Sequence, residues 1–273
     1  QFGDGSTLPS IEKPQYGGTL NLRAIADPNW NLKIVTPASI ASLLSQDRLL
    51  LGDWARGTAG TGEVSWQIYE YISRDHFMPA LAESWEMPDE GTVIYHLRKG
   101  VHWALDNKEA SKLMNGRELT ASDVVSSFKW LFFSTPTTNF ARTFSGWQNA
   151  DFSAPDKYTV VVKASRLDIN SLLGYLSDST PILPPEVIQK YGNFNSWNQV
   201  VGTGPFMFES RSLDSVTRFV RNPDWWGGEV YLDAVEFYPV TDPDTRLELL
   251  FNDELDALQT TDQASIPELR DDG

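Results

Sequence analysis

The sequence predicts a mixed α/β protein whose strands and helices interleave without the strict alternation of a doubly wound sheet. Three observations carry this prediction. TVIYHLRKG (92–100) alternates, placing Val93, Tyr95 and Leu97 on one face and Thr92, Ile94, His96 and Arg98 on the other. LTASDVVSSFKWLFF (119–133) instead repeats at helical spacing, with Val124, Phe128, Leu131 and Phe132 on the apolar side. Between such segments stand turn signals of proline, glycine and aspartate, and 273 residues with 41% hydrophobic and 22% charged content provide an ample core.

In chain order, the polar, glycine-rich opening QFGDGSTLPS reads as a flexible leader, as in a mature or trimmed chain. GGTLNLRAI (17–25) reads as a strand ending in an Asp27-Pro28 turn. Thr36-Pro37 opens a helix through SIASLLSQDRLL, with proline where its missing N–H is harmless. GTAGTGE (57–63) is a flexible interruption, and the following EVSWQIYEYI fits helix and strand equally. Thr120 is positioned to cap the helix at 119–133, with Asp123 completing a capping-box-like start. YTVVVKA reads as a strand after an Asp156-Lys157 turn, DINSLLGYL as a short helix, and EVIQKYG as a helical turn or two ending at Gly192. Strands follow in MFE, around 216–220 and in DAVEFYPV. Asp242-Pro243 then starts a helix through TRLELLF, and LDALQ returns as a strand.

Composition excludes several functions. A net charge of -15 opposes nucleic-acid binding, which needs a basic face to displace counterions, and serves solubility. The absence of cysteine removes disulfides, thiol catalysis and cysteine-ligated zinc. No stretch approaches the roughly 20 apolar residues of a membrane helix.

The motifs point away from catalysis. In VVGTGPFMFE (200–209), Gly202 and Gly204 have the look of a phosphate loop, but Pro205 and an alternating segment follow where a helix N-terminus is required. The stretch is expected to be a tight turn whose glycines tolerate positive φ, with proline fixing strand entry. His76, His96 and His102 lack metal-site spacing, and no nucleophile elbow occurs. Asp242/Asp244 and Glu254/Asp256 are the close carboxylate pairs a hydrolase would use. Sequence neighbours rarely face each other across a cleft, and Asp242 already has a capping role. Nothing in these motifs asks for an enzyme. No cofactor or metal is expected.

Five collinear stretches carry a resemblance: LAESWEMPDEGTVIYHLRKGVHW, NGRELTASDVVSSF, VGTGPFMFE, VRNPDWWGG and LDAVEFYPVTDPDTRLELLFNDELDAL. Together, over about 17–258, they resemble the family 5 extracellular solute-binding proteins, receptors of dipeptide, oligopeptide and nickel ABC importers. ALDNKEASKLM is longer than the family's usual turn and is expected to be an extended loop, and 29–54 matches poorly.

The resemblance implies a periplasmic-binding-protein-like fold of type II, cluster C. Residues 14–44 and 196–260 would form most of lobe I, and 45–195 lobe II. Residues 1–13 would be the leader, and 261–273 the start of a crossover to a lobe III that the chain lacks. Partners implied are a peptide or other small solute and an ABC permease, with no nucleic acid. The implied location is extracellular or periplasmic, with a lipid anchor through a removed N-terminal segment as one form. Trp85, Trp103, Trp225 and Trp226 fall in scaffold motifs, the last two expected to cover a sheet. Trp30, Trp54 and Trp147, of the 10 tryptophans, fall outside these motifs and are the aromatic ligand candidates. The resemblance places Asn31, after the first strand, and Gln259 and Thr260, at a later strand end, beside the ligand cleft. The leading reading is capture of an oligopeptide-like solute. An oligosaccharide receptor of the same family and, more remotely, a secreted acidic hydrolase are the alternatives.

Overall fold

The computed structural model describes residues 15–24, 43–53, 74–133, 149–165, 174, 176–177, 180–194 and 196–258. Two four-stranded sheets organise them. The first contains β1 (Thr19–Ala24), β8 (Phe206–Ser212), β9 (Val216–Arg221) and β10 (Ala234–Pro239), in the order β1-β10-β9-β8. Here β1 runs parallel to β10, Thr19 opposite Ala234 and Ala24 opposite Pro239, while the other pairs are antiparallel. The second is wholly antiparallel, in the order β4 (Ala82–Asp89), β5 (Thr92–Leu97), β7 (Thr159–Lys163), β6 (Asp151–Ser153). A short ribbon pairs β2 (Leu50–Gly52) with β3 (Phe77–Pro79).

Each sheet has its own core. Val93, Tyr95 and Leu97 of β5, with Val160 and Val162 of β7, lie against α2 (Ala121–Phe133), which buries Val124, Phe128, Leu131 and Phe132. Phe152 of β6 stands 5.4 Å from the Phe128 ring and 5.8 Å from the Phe132 ring. Trp103 is fully buried in this larger core, and Trp85 packs against it opposite Tyr95. The smaller core holds Val200, Phe206, Phe208, Phe219, Val235 and Phe237, the phenylalanines of β8, β9 and β10 meeting edge to face at 5.6 and 6.0 Å. Val200 belongs to the smaller core and Val201 to the larger, so the chain passes from one to the other across a single peptide bond.

The predicted strands at 17–25, 92–100, 158–164 and 206–239 and the helices at 119–133 and 186–191 are present. The last is α3 (Pro185–Tyr191), closed by Gly192 at φ +69°. α4 (Pro243–Phe251) begins as expected, Asp242 accepting the Thr245 N–H at 2.8 Å. Three expectations are corrected. The helix predicted to run through SIASLLSQDRLL does not continue over its described part: Leu50 already starts β2, because Ser45 O accepts the Gly204 N–H and Leu49 O accepts from Ala80 and Ala82. Gly202 and Gly204 do not adopt positive φ; what excludes a side chain there is proximity. ALDNKEASKLM is not a plain loop but contains α1 (Glu109–Met114), closed by Asn115 in the left-handed region at φ 51°. At the start of α2 the Asp123 side chain accepts from the Thr120 N–H at 2.8 Å, the bond expected of Asp123 in a capping-box-like start. EVSWQIYEYI, and most of DINSLLGYL, lie outside the described residues.

The joint between the cores is a backbone-on-backbone contact. A Cβ on Gly202 would lie 1.8 Å from Ser45 O, and one on Gly204 2.6 Å from Leu44 O. Glycine is required here by close approach, and Gly204 uses the proximity to donate to Ser45 O at 3.0 Å. Gly202 O in turn accepts from the Ala104 N–H at 2.8 Å. Gly202→Ala should therefore destabilise by about 3 kcal/mol or more in urea titrations, because rigid backbone must move. Gly100→Ala should cost only about 1 kcal/mol: Gly100 has φ +75° and nothing within 4 Å.

Polar clamps fasten the larger half. Arg117 donates to both oxygens of Asp123 at 2.8 and 2.9 Å and both of Glu186 at 2.6 and 2.8 Å, tying α2 to α3. Beside it Glu118 accepts from Lys157 at 2.6 Å, the Gly100 N–H at 2.7 Å and the Tyr158 hydroxyl. The Lys157 bond first, then the Gly100 N–H, pull its pKa from 4.5 to about 2. With the folded value depressed, this stabilisation is complete above the unfolded pKa and lost as pH falls from about 4.5 towards 2. Acid unfolding should show it directly: over that window the native chain loses stability relative to Glu118→Gln, and a pH-independent difference would refute the assignment.

Candidate functional site at the carboxyl ends of the parallel strand pair

β1 has parallel neighbours on both sides. Beyond its pairing with β10, Leu22 forms a parallel bridge with Ala257; the Arg23 N–H donates to Ala257 O at 3.2 Å and the Asp256 N–H to Asn21 O at 2.9 Å. The Asp256 carboxylate also accepts the Asn21 N–H at 2.6 Å. LDALQ, expected as a strand, forms in its described part a single parallel bridge beside β1 and no strand. Three chain segments leave the sheet on one side: after Ala24, after Pro239 and after Leu258. In open α/β sheets the carboxyl ends of parallel strands line the crevice that takes a ligand.

Two arginines occupy this end. Leu20, Leu22 and Ala24 face the smaller core, so Asn21 and Arg23 project from the opposite face. Arg23 Nε donates to Val240 O at 2.9 Å, just past the end of β10. Arg246, in the first turns of α4 and buried, donates through Nε to Asp242 O at 3.2 Å. The two guanidiniums therefore hold carbonyls two residues apart in one connection. Burial first, and then the neighbouring Arg246 charge, lower the Arg23 pKa. Further along the same sheet face, Arg218 bridges Glu209 and Glu236, and Tyr238 donates to Glu236.

All six residues singled out from the sequence as ligand contacts, Trp30, Asn31, Trp54, Trp147, Gln259 and Thr260, lie outside the described residues. The structure places only the strand ends from which two of those segments depart. Sequence reading passed over Arg23 and Arg246; the available signal was a cation in each of two segments expected to abut. The carboxylate pairs serve local structure. Asp242 caps α4, its pKa lowered first by the Thr245 N–H, and Asp256 binds β1 backbone. Among the described residues no group of three metal-ligating side chains occurs. His96 contacts Glu86 at 3.2 Å and His102 the carbonyl of Gly116 at 2.8 Å, both in exposed settings. No described helix is long and apolar enough to cross a membrane.

Behind the strand ends, Asp47 locks the joint. Its Oδ2 accepts from the Trp226 indole N–H at 2.6 Å and the Thr203 hydroxyl at 3.0 Å, while Asn222 Nδ2 donates to Gly204 O at 2.9 Å. Trp226 packs against the larger core and lies under the Arg98 guanidinium at 4.8 Å, so it seals the joint instead of covering the sheet as expected. Burial raises the Asp47 pKa despite these donors. A raised folded value makes the ionisation penalty complete above it and relieved as pH falls through it towards the ordinary carboxylate value. Asp47→Ala should cost roughly 2 kcal/mol or more, since two donors lose their acceptor. Relative to Asp47→Asn, which does not titrate, the native chain should gain stability on acidification from neutral pH. Parallel pH-stability curves would exclude this account.

Comparison with known proteins agrees with this arrangement. The family model for bacterial extracellular solute-binding proteins, family 5 Middle, matches residues 76–273. The dipeptide-binding protein of Escherichia coli is 28% identical over 218 residues, covering 74% of this chain and 39% of that protein. The heme-binding protein A of Haemophilus influenzae is 30% identical over 182 residues, covering 62% of this chain and 32% of that protein. This chain thus spans less than half the length of these relatives. Among solved structures, the periplasmic binding protein DppA of Helicobacter pylori, in complex with peptide STSA, superimposes with TM-score 0.71 at 23% identity. It covers 94% of this chain and 49% of that one. OppA of Haemophilus influenzae, in complex with RPPGFSPFR, gives 0.73 at 21% identity, covering 95% and 49%. These likenesses establish the type II periplasmic-binding fold, and the family match, over well more than half of the chain, makes it a member of the family 5 bacterial extracellular solute-binding proteins, which are transport receptors and not enzymes.

Proposed function

We propose that this chain forms one wall of the ligand cleft in a receptor that captures an oligopeptide-like solute and hands it to an ABC permease. The observation that carries the reading is the pair of parallel strand ends at Ala24 and Pro239, with the Ala257 bridge beside them, in a chain of this family. Peptide-binding relatives support the choice of solute, since several matched proteins are named for dipeptides, tripeptides or oligopeptides. The first sheet with its core corresponds to lobe I (14–44 and 196–260) and the second to lobe II (45–195). Opposing contacts come from a further lobe, equivalent to the part of the relatives that this chain does not span. Trp30, Asn31, Gln259 and Thr260 border the cleft from the lobe I side, and Trp54 and Trp147 supply aromatic surface. Ligand enclosure shifts the receptor to a closed form, which the permease reads, outside the cytoplasmic membrane and in some settings lipid-anchored.

Thermal-shift measurements on the natural full-length protein that carries this sequence test the proposal. Short peptides should raise the melting temperature in a concentration-dependent way, because a ligand that binds only the folded state stabilises by mass action. Stabilisation by oligosaccharides with none by peptides would replace the peptide reading with a sugar receptor of the same fold.

A further inference from the structure

We infer that Asn115 is a modification site: its side-chain amide is lost through attack by the Gly116 backbone nitrogen, leaving an aspartyl or isoaspartyl residue at the end of α1. Asn115-Gly116 is the one Asn-Gly pair in the sequence. Asn115 is exposed and closes α1 in the left-handed region at φ 51° and ψ 35°, and Gly116 follows at φ +62°. The backbone on either side of the peptide between them is held. The Asn115 N–H donates to Ser111 O at 2.9 Å, the Arg117 N–H to Met114 O at 3.1 Å, and His102 Nδ1 contacts Gly116 O at 2.8 Å. Between these anchors the Asn115 carbonyl, the Gly116 N–H and the Asn115 carboxamide have no hydrogen-bond partner among the described residues.

At ψ 35° the Gly116 nitrogen is turned away from the carboxamide, so attack requires the 115–116 peptide plane to rotate. That rotation breaks no hydrogen bond of the plane itself, and glycine accepts the new dihedrals on its side at little steric cost. Glycine also leaves the nitrogen without a side chain to screen it. Once solvent base removes its proton, the Gly116 nitrogen bonds to Asn115 Cγ. The carboxamide Cγ–N bond breaks, and its nitrogen leaves as ammonia with a proton from water. Water then opens the resulting succinimide. Hydrolysis between Cγ and the Gly116 nitrogen gives aspartate; hydrolysis between that nitrogen and the Asn115 carbonyl carbon gives isoaspartate, whose main chain runs through Cγ. Either product exchanges NH2 for OH, with no oxidant or reductant. Both place a carboxylate at the carbonyl end of α1, where the helix dipole disfavours negative charge. Isoaspartate also lengthens the main chain just before Arg117, whose guanidinium holds Asp123 and Glu186.

Peptide mapping by mass spectrometry tests this on the natural full-length protein that carries the sequence, kept folded at mildly alkaline pH. The peptide holding Asn115 should gain the mass of an NH2-to-OH exchange faster than peptides holding any other asparagine. Its product should separate into aspartyl and isoaspartyl forms, the second labelled by an isoaspartyl methyltransferase. Gly116→Ala should convert several-fold more slowly; the methyl has room, with Leu105 at 3.7 Å, although φ +62° strains it. Over the same incubation the native melting temperature should fall, while that of Asn115→Gly, in which glycine suits the left-handed cap, should hold. Conversion no faster than at other asparagines, aspartate as the sole product, or equal melting losses in the native and Asn115→Gly proteins would each overturn the inference. Should Gly116→Ala fail to give a cooperative melt, the isoaspartate fraction of the native protein decides, because only the succinimide route produces it.

Discussion

Between Ser45 and the Gly202–Gly204 segment two backbones lie so close that neither glycine can carry a side chain. The contact lets Gly204 donate to Ser45 O and brings Thr203 within reach of Asp47, which in turn draws in Trp226. Because the chain moves from the larger core to the smaller within this segment, the same few bonds fix how the two sheets sit on one another. A buried carboxylate is an expensive way to close a joint, and it is tolerated here because two side-chain donors converge on one of its oxygens. An apolar residue would leave those donors unsatisfied. The joint is consequently specific as well as tight.

With the joint fixed, the opposite property can develop at the carboxyl ends of the parallel strands. β1 is the pivot of that arrangement, pairing with β10 on one side and with Ala257 on the other. Among the described residues the outermost pairing is a single bridge supported by two backbone bonds and the Asp256 carboxylate, beside a six-residue register between β1 and β10. The Asp47 joint and the Arg117 clamp tie the elements around them by side-chain hydrogen bonds.

Legibility in the sequence followed the range of the interactions involved. Alternation in β5 and β7 and the helical repeat of α2 were readable because each pattern records a face turned to a core, and burial matched it residue by residue at Val93, Tyr95, Leu97, Phe128 and Leu131. Caps were readable in outline, since Asp242-Pro243 and Gly192 act within a turn of themselves. The helix expected through 39–50 failed in its described part because its carbonyls are claimed by Gly204 and Ala80, partners more than thirty residues away that no local propensity encodes. α1 was missed for the opposite reason: six residues are too few to establish a period.

Composition and motif order determined, without coordinates, that this is an acidic, cysteine-free α/β protein of a solute-binding family, with VVGTGPFMFE as connection and not phosphate loop. The reason is that pattern and turn chemistry are local and repeat along the chain. Tertiary structure alone decided why those glycines must be glycines, which carboxylate closes the joint and which cations meet at the strand ends. Each of these depends on approach between segments far apart in sequence. Gly202 looked like a residue chosen for its dihedral freedom and proved to be one chosen for its missing Cβ, against a carbonyl at Ser45.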